Sequence, residues 1–337
     1  MIFKILHLRI PYINANPVTG NWRNTMPSIR ILLSSLVLII ISYSAKPQDT
    51  RNLSFKQIED SLSRLSKHVS NDNPFSTKEE ANNNFLSLFR TTLNKEGAFN
   101  YPFDSLNHIG KITSEDGKLR IFTWNLPLAD GNQKYFGFML YKKDKGNTLV
   151  FELRDSRKSV NDPIKEILGQ RNWMGALYYS VVEQTYQGKT YYLLLGFDFN
   201  SIFSSKKLIE VLTFGKDFIP IFGSNVFKVG DVLLARVVFE FSARATMTLR
   251  YIPDLQTIVF DHLSPSQPDF ADNFQFYGPD FTFDGFKYEK GYWVYVRNLD
   301  LRNPSREPVK LRESPEKLPE PGFLYKSKGG LPKQLSK

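Results

Sequence analysis

The chain has 337 residues, no cysteine and a formal net charge of +10 at pH 7. Without thiols it cannot form disulfides, thiolate zinc sites or a cysteine nucleophile, and it offers no cysteine for lipid attachment. The positive charge lies at the two ends, because residues 46–301 carry 31 basic and 30 acidic side chains. This nearly neutral body lacks the electrostatic basis of nucleic-acid binding, so we predict no nucleic-acid partner.

Residues 31–45 form an uncharged apolar segment between Arg30 and Lys46. A positive start, an apolar centre and small residues at Ser44 and Ala45 are typical of a secretory signal peptide. A retained transmembrane anchor is the alternative, but the run is shorter than the roughly 20 residues that cross a bilayer. We therefore predict that residues 1–45 are a signal region and that the protein is exported to the periplasm or the exterior. A membrane would be contacted only through this segment, if it stays uncleaved.

Met26 lies just before the positive start of this segment. Signal peptides stand at the N-terminus of a chain, and a start at Met26 would give this one an ordinary length. The sequence therefore leaves open whether residues 1–25 are an over-extended gene start.

Residues 50–100 are predicted to form a helical hairpin. Ser54 with Gln57, and Ser76 with Glu79, have the spacing of capping boxes at helix starts. Apolar residues then recur with a period of 3.6: Ile58, Leu62, Leu65 and Val69, followed by Phe85, Leu88, Phe89 and Leu93. His68 falls at the end of the first predicted helix, where a cation opposes the helix dipole.

From about residue 112 the apolar period changes to two, which predicts a β domain over residues 110–300. The predicted strands span 119–126, 134–141, 148–153, 177–186, 191–196, 207–214, 232–241, 245–251, 257–261, 281–288 and 291–296. Short turns between them indicate an antiparallel meander. The predicted class is mainly β with an N-terminal helical hairpin. A barrel, a sandwich and a propeller-like arrangement all stay open.

Two shorter segments carry predictions of their own. Residues 160–170 are predicted to form a short helix, opened by Asn161, Asp162 and Pro163. In the strand near residues 234–242, Arg236 and Glu240 share one face. That face is predicted to be wet and to carry a ladder of ion pairs.

Residues 302–337 contain six prolines and alternating charges. This composition predicts an extended or disordered tail whose role is solvation.

The densest polar cluster of the sequence lies near residues 261–284. Asp261 and His262 are adjacent, and Asp280 and Asp284 follow beside aromatic residues. A carboxylate can orient an imidazole for proton transfer, and a second carboxylate could hold a sugar hydroxyl. Neighbours on a strand point to opposite faces, so Asp261 pairs with His262 only if the strand has ended. The competing interpretation is that these residues cap strands and turns by binding backbone amides.

These residues suggest two hydrolase mechanisms. Ser264 or Ser242 would serve a serine hydrolase with His262, but neither lies in a Gly-x-Ser-x-Gly elbow. Glycoside hydrolysis needs two suitably separated carboxylates, which Asp261, Asp280, Asp284 or Glu240 could supply.

The sequence predicts neither a metal site nor a cofactor. Outside the signal region only His68, His108 and His262 remain, and no two share a local ligand spacing. Asp198 and Asn200 resemble the start of a calcium loop, but the following glycine and distal glutamate are missing, so a turn is predicted there. A site built from carboxylates alone stays open.

Four stretches together resemble a group of exported, uncharacterised proteins from Bacteroidota. They are the stretch 116–125, the stretch 191–196, the stretch 239–243, and the stretch 258–265 taken with 277–280. The similarity covers about residues 110–300. It implies a cell-envelope protein, and it transfers no catalytic role because the group has no established activity.

Aromatic residues make up 14% of the chain, and exposed aromatic faces can stack on sugars or hold peptides. We therefore predict an exported, non-enzymatic binding or scaffold protein whose partner is an envelope protein or a glycan. The alternative is a glycan-directed hydrolase that uses the acidic residues near 261–284.

Overall fold

The computed structural model describes residues 53–71, 74–144 and 146–301. The predicted signal region, the alternative start at Met26 and the predicted tail at 302–337 lie outside the described residues. Within the described part, two helices and sixteen strands arranged in three sheets confirm the mainly β class with a helical hairpin.

The hairpin consists of α1 (Phe55–Ser70) and α2 (Phe75–Leu93). The predicted capping box at Ser54 is confirmed, since its hydroxyl accepts from the Gln57 amide while the Gln57 side chain accepts from Ser54. The predicted box at Ser76 is wrong, because the N-cap of α2 is Pro74, two residues earlier, and the helix begins at Phe75. Proline is compatible with a helix start, since the first amides of a helix have no partner within it.

The first sheet is an antiparallel meander of four strands in the order β1-β2-β3-β4. The strands are β1 (Gly110–Thr113), β2 (Leu119–Pro127), β3 (Gln133–Lys142) and β4 (Thr148–Arg154). The first six residues of β2 are all buried. Such a continuous buried run, instead of alternation, indicates that both faces of this sheet are covered.

The second sheet has the order β5-β9-β8-β7-β6, and β12 pairs with the N-terminal part of β8. The strands are β5 (Leu168–Gly169), β6 (Leu177–Tyr186), β7 (Lys189–Asp198), β8 (Ser204–Phe214), β9 (Pro220–Phe222) and β12 (Arg236–Ser242). Residues 191–196 of β7 are all buried, so this sheet is also covered on both faces.

The third sheet has the order β11-β10-β16-β15-β14-β13. The strands are β10 (Phe227–Val229), β11 (Val232–Leu234), β13 (Leu249–Ile252), β14 (Thr257–Pro265), β15 (Tyr277–Glu289) and β16 (Tyr292–Val296). All neighbours pair antiparallel except β10 and β16, which run parallel.

The helices and the three sheets are stacked as successive layers. One core lies between the helices and the first sheet, a second between the first and second sheets, and a third between the second and third sheets. None of the described sheets closes into a barrel. Because the helices cover the outer face of the first sheet, the layers form a stack and not a ring of blades.

The helix predicted at residues 160–170 is wrong. The segment makes a single turn, in which the Glu166 amide donates to the Asp162 carbonyl at 3.0 Å, and then enters β5. Its carbonyls accept hydrogen bonds from residues at and just before the start of β12 in the second sheet instead. The Ile164 carbonyl accepts from the Ala235 amide at 2.8 Å, and those of Pro163 and Glu166 accept from the Arg236 guanidinium. Tertiary partners thus replace the bonds of a helix.

The single strand predicted at residues 232–241 is two strands in different sheets. β11 pairs with β10 of the third sheet, whereas β12 pairs with β8 of the second. The chain crosses between the layers at the fully buried Ala235. The wet face predicted for Arg236 is also wrong, because its side chain is fully buried between the sheets.

No helix of the described residues has the length and apolar character needed to cross a bilayer.

Candidate functional site

An irregularity between β14 and β15 brings the predicted site residues together. The two strands pair up to Asp261, which is opposite Phe283, and resume at Leu263, which is opposite Pro279. Three residues of β15, numbers 280–282, therefore face the single residue His262. Such a bulge re-aims side chains and is common next to functional sites.

His262 lies between two carboxylates. Its Nδ1 is 2.7 Å from an oxygen of the buried Asp284, and its Nε2 is 4.0 Å from an oxygen of the partly exposed Asp280. Asp284 also accepts from the Tyr295 hydroxyl at 2.6 Å and from the Asn298 amide at 3.0 Å. Burial pushes the pKa of Asp284 upward, but these hydrogen bonds and His262 outweigh burial and hold the pKa below its ordinary value. Asp284 is therefore ionised at neutral pH. Because an ionised carboxylate can only accept a hydrogen bond, the proton in this contact lies on Nδ1 of His262.

Asp280 is also engaged by neighbours within its own bulge. It accepts from the Ser264 hydroxyl at 2.9 Å, and from the Thr282 hydroxyl at 2.7 Å and amide at 3.0 Å. Burial raises the pKa of Asp280, but the hydrogen bonds from Thr282 and Ser264 and the nearby His262 lower it by more than burial raises it. The pKa of Asp280 therefore lies below its ordinary value. The arrangement provides two ionised carboxylates and an oriented imidazole, and neither carboxylate can donate a proton near neutral pH.

The same bulge exposes Phe281. Its side chain is 94% exposed, and its φ of 71° lies in the left-handed region that disfavours a bulky residue. The hydrogen bonds from Thr282 to Asp280, on either side of Phe281, hold this conformation. Nothing in the sequence pattern predicted that this aromatic residue would be outside the fold.

Asp261 does not join the cluster. Its carboxylate accepts from the Thr248 amide at 2.6 Å, away from the His262 ring, as expected for adjacent residues of a strand. The interpretation of Asp261 as a group that binds a backbone amide agrees with this contact. The partner of His262 is Asp284, which lies 22 residues further along the chain.

The remaining sequence candidates lie elsewhere. The Ser264 hydroxyl donates to Asp280, and the Ser242 hydroxyl accepts from the Arg244 amide at 3.3 Å. Neither serine hydrogen bonds to His262 within the described part of the chain, as a serine nucleophile would. Glu240 accepts from the Ser204 hydroxyl at 2.6 Å and pairs with Lys206 at 3.3 Å.

The Asp198 turn is built from internal contacts. Its carboxylate accepts from the Tyr135 hydroxyl at 2.9 Å, from Arg157 at 2.6 Å and from the Asn200 amide at 2.8 Å. All three donors bond to the same oxygen, Oδ1, and tie the carboxylate to the local backbone and side chains, which agrees with the predicted turn. Among residues 53–71, 74–144 and 146–301, no group of three histidine or acidic side chains has the arrangement of a metal site.

A cleft of about 800 Å³ opens beside Ser264 and Asp280. Its walls combine aromatic and proline rings with hydroxyl, amide and guanidinium groups. The lining residues that carry this character are Phe203, Phe276, Tyr277, Pro265, Pro279, Ser242, Ser266, Gln275 and Arg244. Phe203 is 61% exposed and Phe276 is 37% exposed. One face of the Phe276 ring stacks on Phe270, with the ring centroids 4.1 Å apart, which leaves its other face for a ligand.

Sequence reasoning missed most of this cleft. Phe203, Arg244 and Phe276 come from three separate segments, and none of them belongs to a motif. The available signal was the proline-containing end of β14, where Pro265 precedes Ser266, together with the stretch 277–280.

Comparisons with protein-family models, with curated proteins and with solved structures found no match. The resemblance to exported Bacteroidota proteins therefore stays a prediction.

Proposed function

We propose that this chain is an exported, non-enzymatic binding protein that holds a glycan in the cleft beside Asp280. The observation that carries the proposal is the pairing of exposed rings with polar groups in one concave surface, at Phe203, Phe276, Gln275 and Arg244. The C–H faces of sugar rings pack on aromatic faces, while their hydroxyls bond to amide, guanidinium and carboxylate groups. Ligand sites commonly combine an apolar wall with a few polar groups in this way.

The state of the carboxylates favours binding over hydrolysis. Glycosidases need one carboxylic acid that stays protonated near neutral pH, and its pKa is usually raised by an apolar environment. The pKa values of Asp280 and Asp284 are both lowered. The oxygens of both groups are engaged by internal donors, which supports a role in shaping the bulge beside the cleft.

Export is part of the same proposal. It rests on the apolar segment 31–45 with its flanking Arg30 and Lys46. A protein with this leader would meet glycans in the cell envelope, and an envelope protein that carries such glycans would be its partner.

The test is calorimetric titration of the purified mature chain with a panel of soluble oligosaccharides, together with analysis of the sugars for cleavage. We expect at least one oligosaccharide to bind without being cleaved, and Phe276→Ala to weaken its binding at least tenfold. Phe274→Ala is the matched control, because Phe274 is 41% exposed in the same turn but does not line the cleft. Equal affinities of the wild type and Phe276→Ala, or no binding across the panel, would contradict the proposal.

Glycan hydrolysis is the second candidate, and the contact between His262 and Asp284 is the observation that favours it. If the panel reveals cleavage, Asp280→Ala decides the role of this cluster. Loss of turnover in that variant would replace the binding proposal, whereas unchanged turnover would remove Asp280 from the catalytic residues.

A further inference from the structure

A second cavity of about 610 Å³ opens at one end of the core between the second and third sheets. Its wall is mainly apolar and includes Phe197, Phe199, Phe241, Met247 and Tyr179. Phe199 and Tyr179 are 42% and 43% exposed, so the cavity is open to solvent on this side. Its size is within the range of about 300–1,000 Å³ that small-molecule sites occupy.

Lys207 is the one charged side chain among the residues that line this cavity. On β8 it lies directly opposite Phe197 of β7 and Phe239 of β12, and paired residues of antiparallel strands project to the same face. Two residues further along β8, Ile209 belongs to the core between the second and third sheets. The lysine therefore stands at the point where this apolar core opens to solvent.

Few groups of the protein offset the positive charge of the Lys207 ammonium. It lies 5.3 Å from the centre of the Tyr179 ring, a cation–π contact. Among the described residues no carboxylate forms an ion pair with it, and the nearby Asp261 is bonded to the Thr248 amide. Burial lowers the pKa of Lys207, and the charge of Asp261 offsets this only in part. A desolvated cation in an apolar wall gains more from an anionic ligand than an exposed lysine does.

We propose that this cavity binds an amphipathic carboxylate of the fatty-acid class, with its carboxylate on the Lys207 ammonium and its alkyl chain against Phe197, Phe241 and Met247. A neutral apolar ligand would leave the cation unpaired, and a fully polar anion would leave the aromatic wall without a partner. One positive charge matches one carboxylate, and each methylene that leaves water for the apolar wall strengthens binding. The proposal does not depend on the glycan cleft.

The experiment compares octanoate with its neutral analogue 1-octanol by calorimetric titration of the wild type and four variants. For the wild type we expect octanoate to bind at least tenfold more tightly than 1-octanol. Lys207→Gln is expected to weaken octanoate binding at least tenfold while it changes 1-octanol binding less than twofold. Lys207→Arg, which keeps the charge, is expected to stay within about threefold of the wild type.

Lys228→Gln is the matched control, because it removes the same charge from an exposed position on β10. It is expected to bind octanoate as the wild type does, and so is the cleft variant Phe276→Ala. Circular dichroism and urea midpoints establish that each variant is folded. The proposal is overturned if the wild type does not bind octanoate, if 1-octanol binds equally well, or if folded Lys207→Gln keeps the wild-type affinity.

Discussion

Glu210 is a carboxylate in the middle of the stacked sheets, and its side chain is fully buried. The buried carboxylate is tolerated because both of its oxygens have donors. Arg236, also fully buried, donates its Nε–H to one oxygen, and the Tyr178 hydroxyl donates to the other. The Trp173 indole N–H donates in turn to the Tyr178 hydroxyl at 2.8 Å. The other two guanidinium nitrogens donate to the carbonyls of Pro163 and Phe222. A buried ion pair is tolerated when its remaining groups are satisfied in this way.

The first prediction concerns this pair. Arg236→Met leaves the Glu210 carboxylate buried without a counter-charge, so we expect the free energy of unfolding to fall by about 3–5 kcal/mol. Urea denaturation followed by tryptophan fluorescence measures the change. The double variant Arg236→Met with Glu210→Gln should recover part of the loss, because no charge is then left behind.

The control is the exposed pair of Lys56 and Asp60, one helical turn apart at 2.7 Å. Lys56→Met should leave the free energy of unfolding nearly unchanged, because solvent already screens that pair. A loss as small as this for Arg236→Met would mean that the buried pair contributes little to the fold.

At the residue scale, sequence spacing identified which residues share a face, but not what covers that face. Arg236 and Glu240 were correctly placed on a polar stripe, yet Arg236 is buried because a second sheet packs over its end of the strand. The pairing of His262 with Asp284 had no sequence signal either. It depends on two extra residues in β15, which only the register of the folded sheet reveals.

At the scale of elements, Asp284 connects three parts of the third sheet. From β15 it holds His262 of β14, the Tyr295 hydroxyl of β16 and the Asn298 amide that follows β16. Hydrogen bonds to a charged acceptor are worth about 1.5–3 kcal/mol each. The carboxylate therefore stabilises the bulge that forms one side of the cleft.

The second prediction is a pH-dependent loss of stability in Asp284→Asn. Because the folded-state pKa of Asp284 is lowered, its contribution is complete above the unfolded value of about 3.8 and is lost as the pH falls through the folded value. We expect the variant to unfold with about 1–3 kcal/mol less free energy at pH 7. The difference should shrink below about pH 4, where the folded-state carboxylate takes up a proton.

Urea denaturation at a series of pH values measures this difference. Asp254→Asn is the control, because that aspartate is exposed in the turn before β14, and its substitution should change stability little at any pH. A difference for Asp284→Asn that grows as the pH falls below about 4 would have the wrong sign and would refute the argument.

The predictability of the elements follows from how strongly each depends on distant partners. The helices and the long hairpin strands were predicted within a few residues, because their periodicity and turns are local. β9 and β10 were missed because each has only three residues, which is too short for a period of two to show in the sequence. The turn at 162–166 was predicted as a helix because its bonds to Arg236 and Ala235 are invisible locally.

At the scale of the whole molecule, each inner sheet contributes to two cores. Phe89 of α2 belongs to the outermost core and is fully buried. Its ring lies 5.0 Å from Phe122 and 5.6 Å from Phe138, both of the first sheet. The opposite face of that sheet packs on the second sheet. A cavity made under the helices therefore affects a sheet that also forms one wall of the next core.

The third prediction is that Phe89→Ala lowers the free energy of unfolding by about 3–5 kcal/mol without splitting the transition. Far-ultraviolet circular dichroism and tryptophan fluorescence should report the same urea midpoint, since Trp124, Trp173 and Trp293 lie in the three different cores. The partly exposed Phe274 serves as the control, and its replacement by alanine should cost about 0.5 kcal/mol. Separate midpoints for the two probes would show that the layers unfold independently.

The sequence by itself determined the class of the fold, the helical hairpin and most hairpin strands, because periodicity and turn chemistry act between near neighbours. It also placed Asp280, Asp284 and His262 in one region of the chain. Only the tertiary structure decided that the sheets stack in series, that Asp284 and not Asp261 holds His262, and that Lys207 stands at the mouth of a core. These outcomes depend on register and on which faces are covered, and contacts between residues far apart in the chain set both.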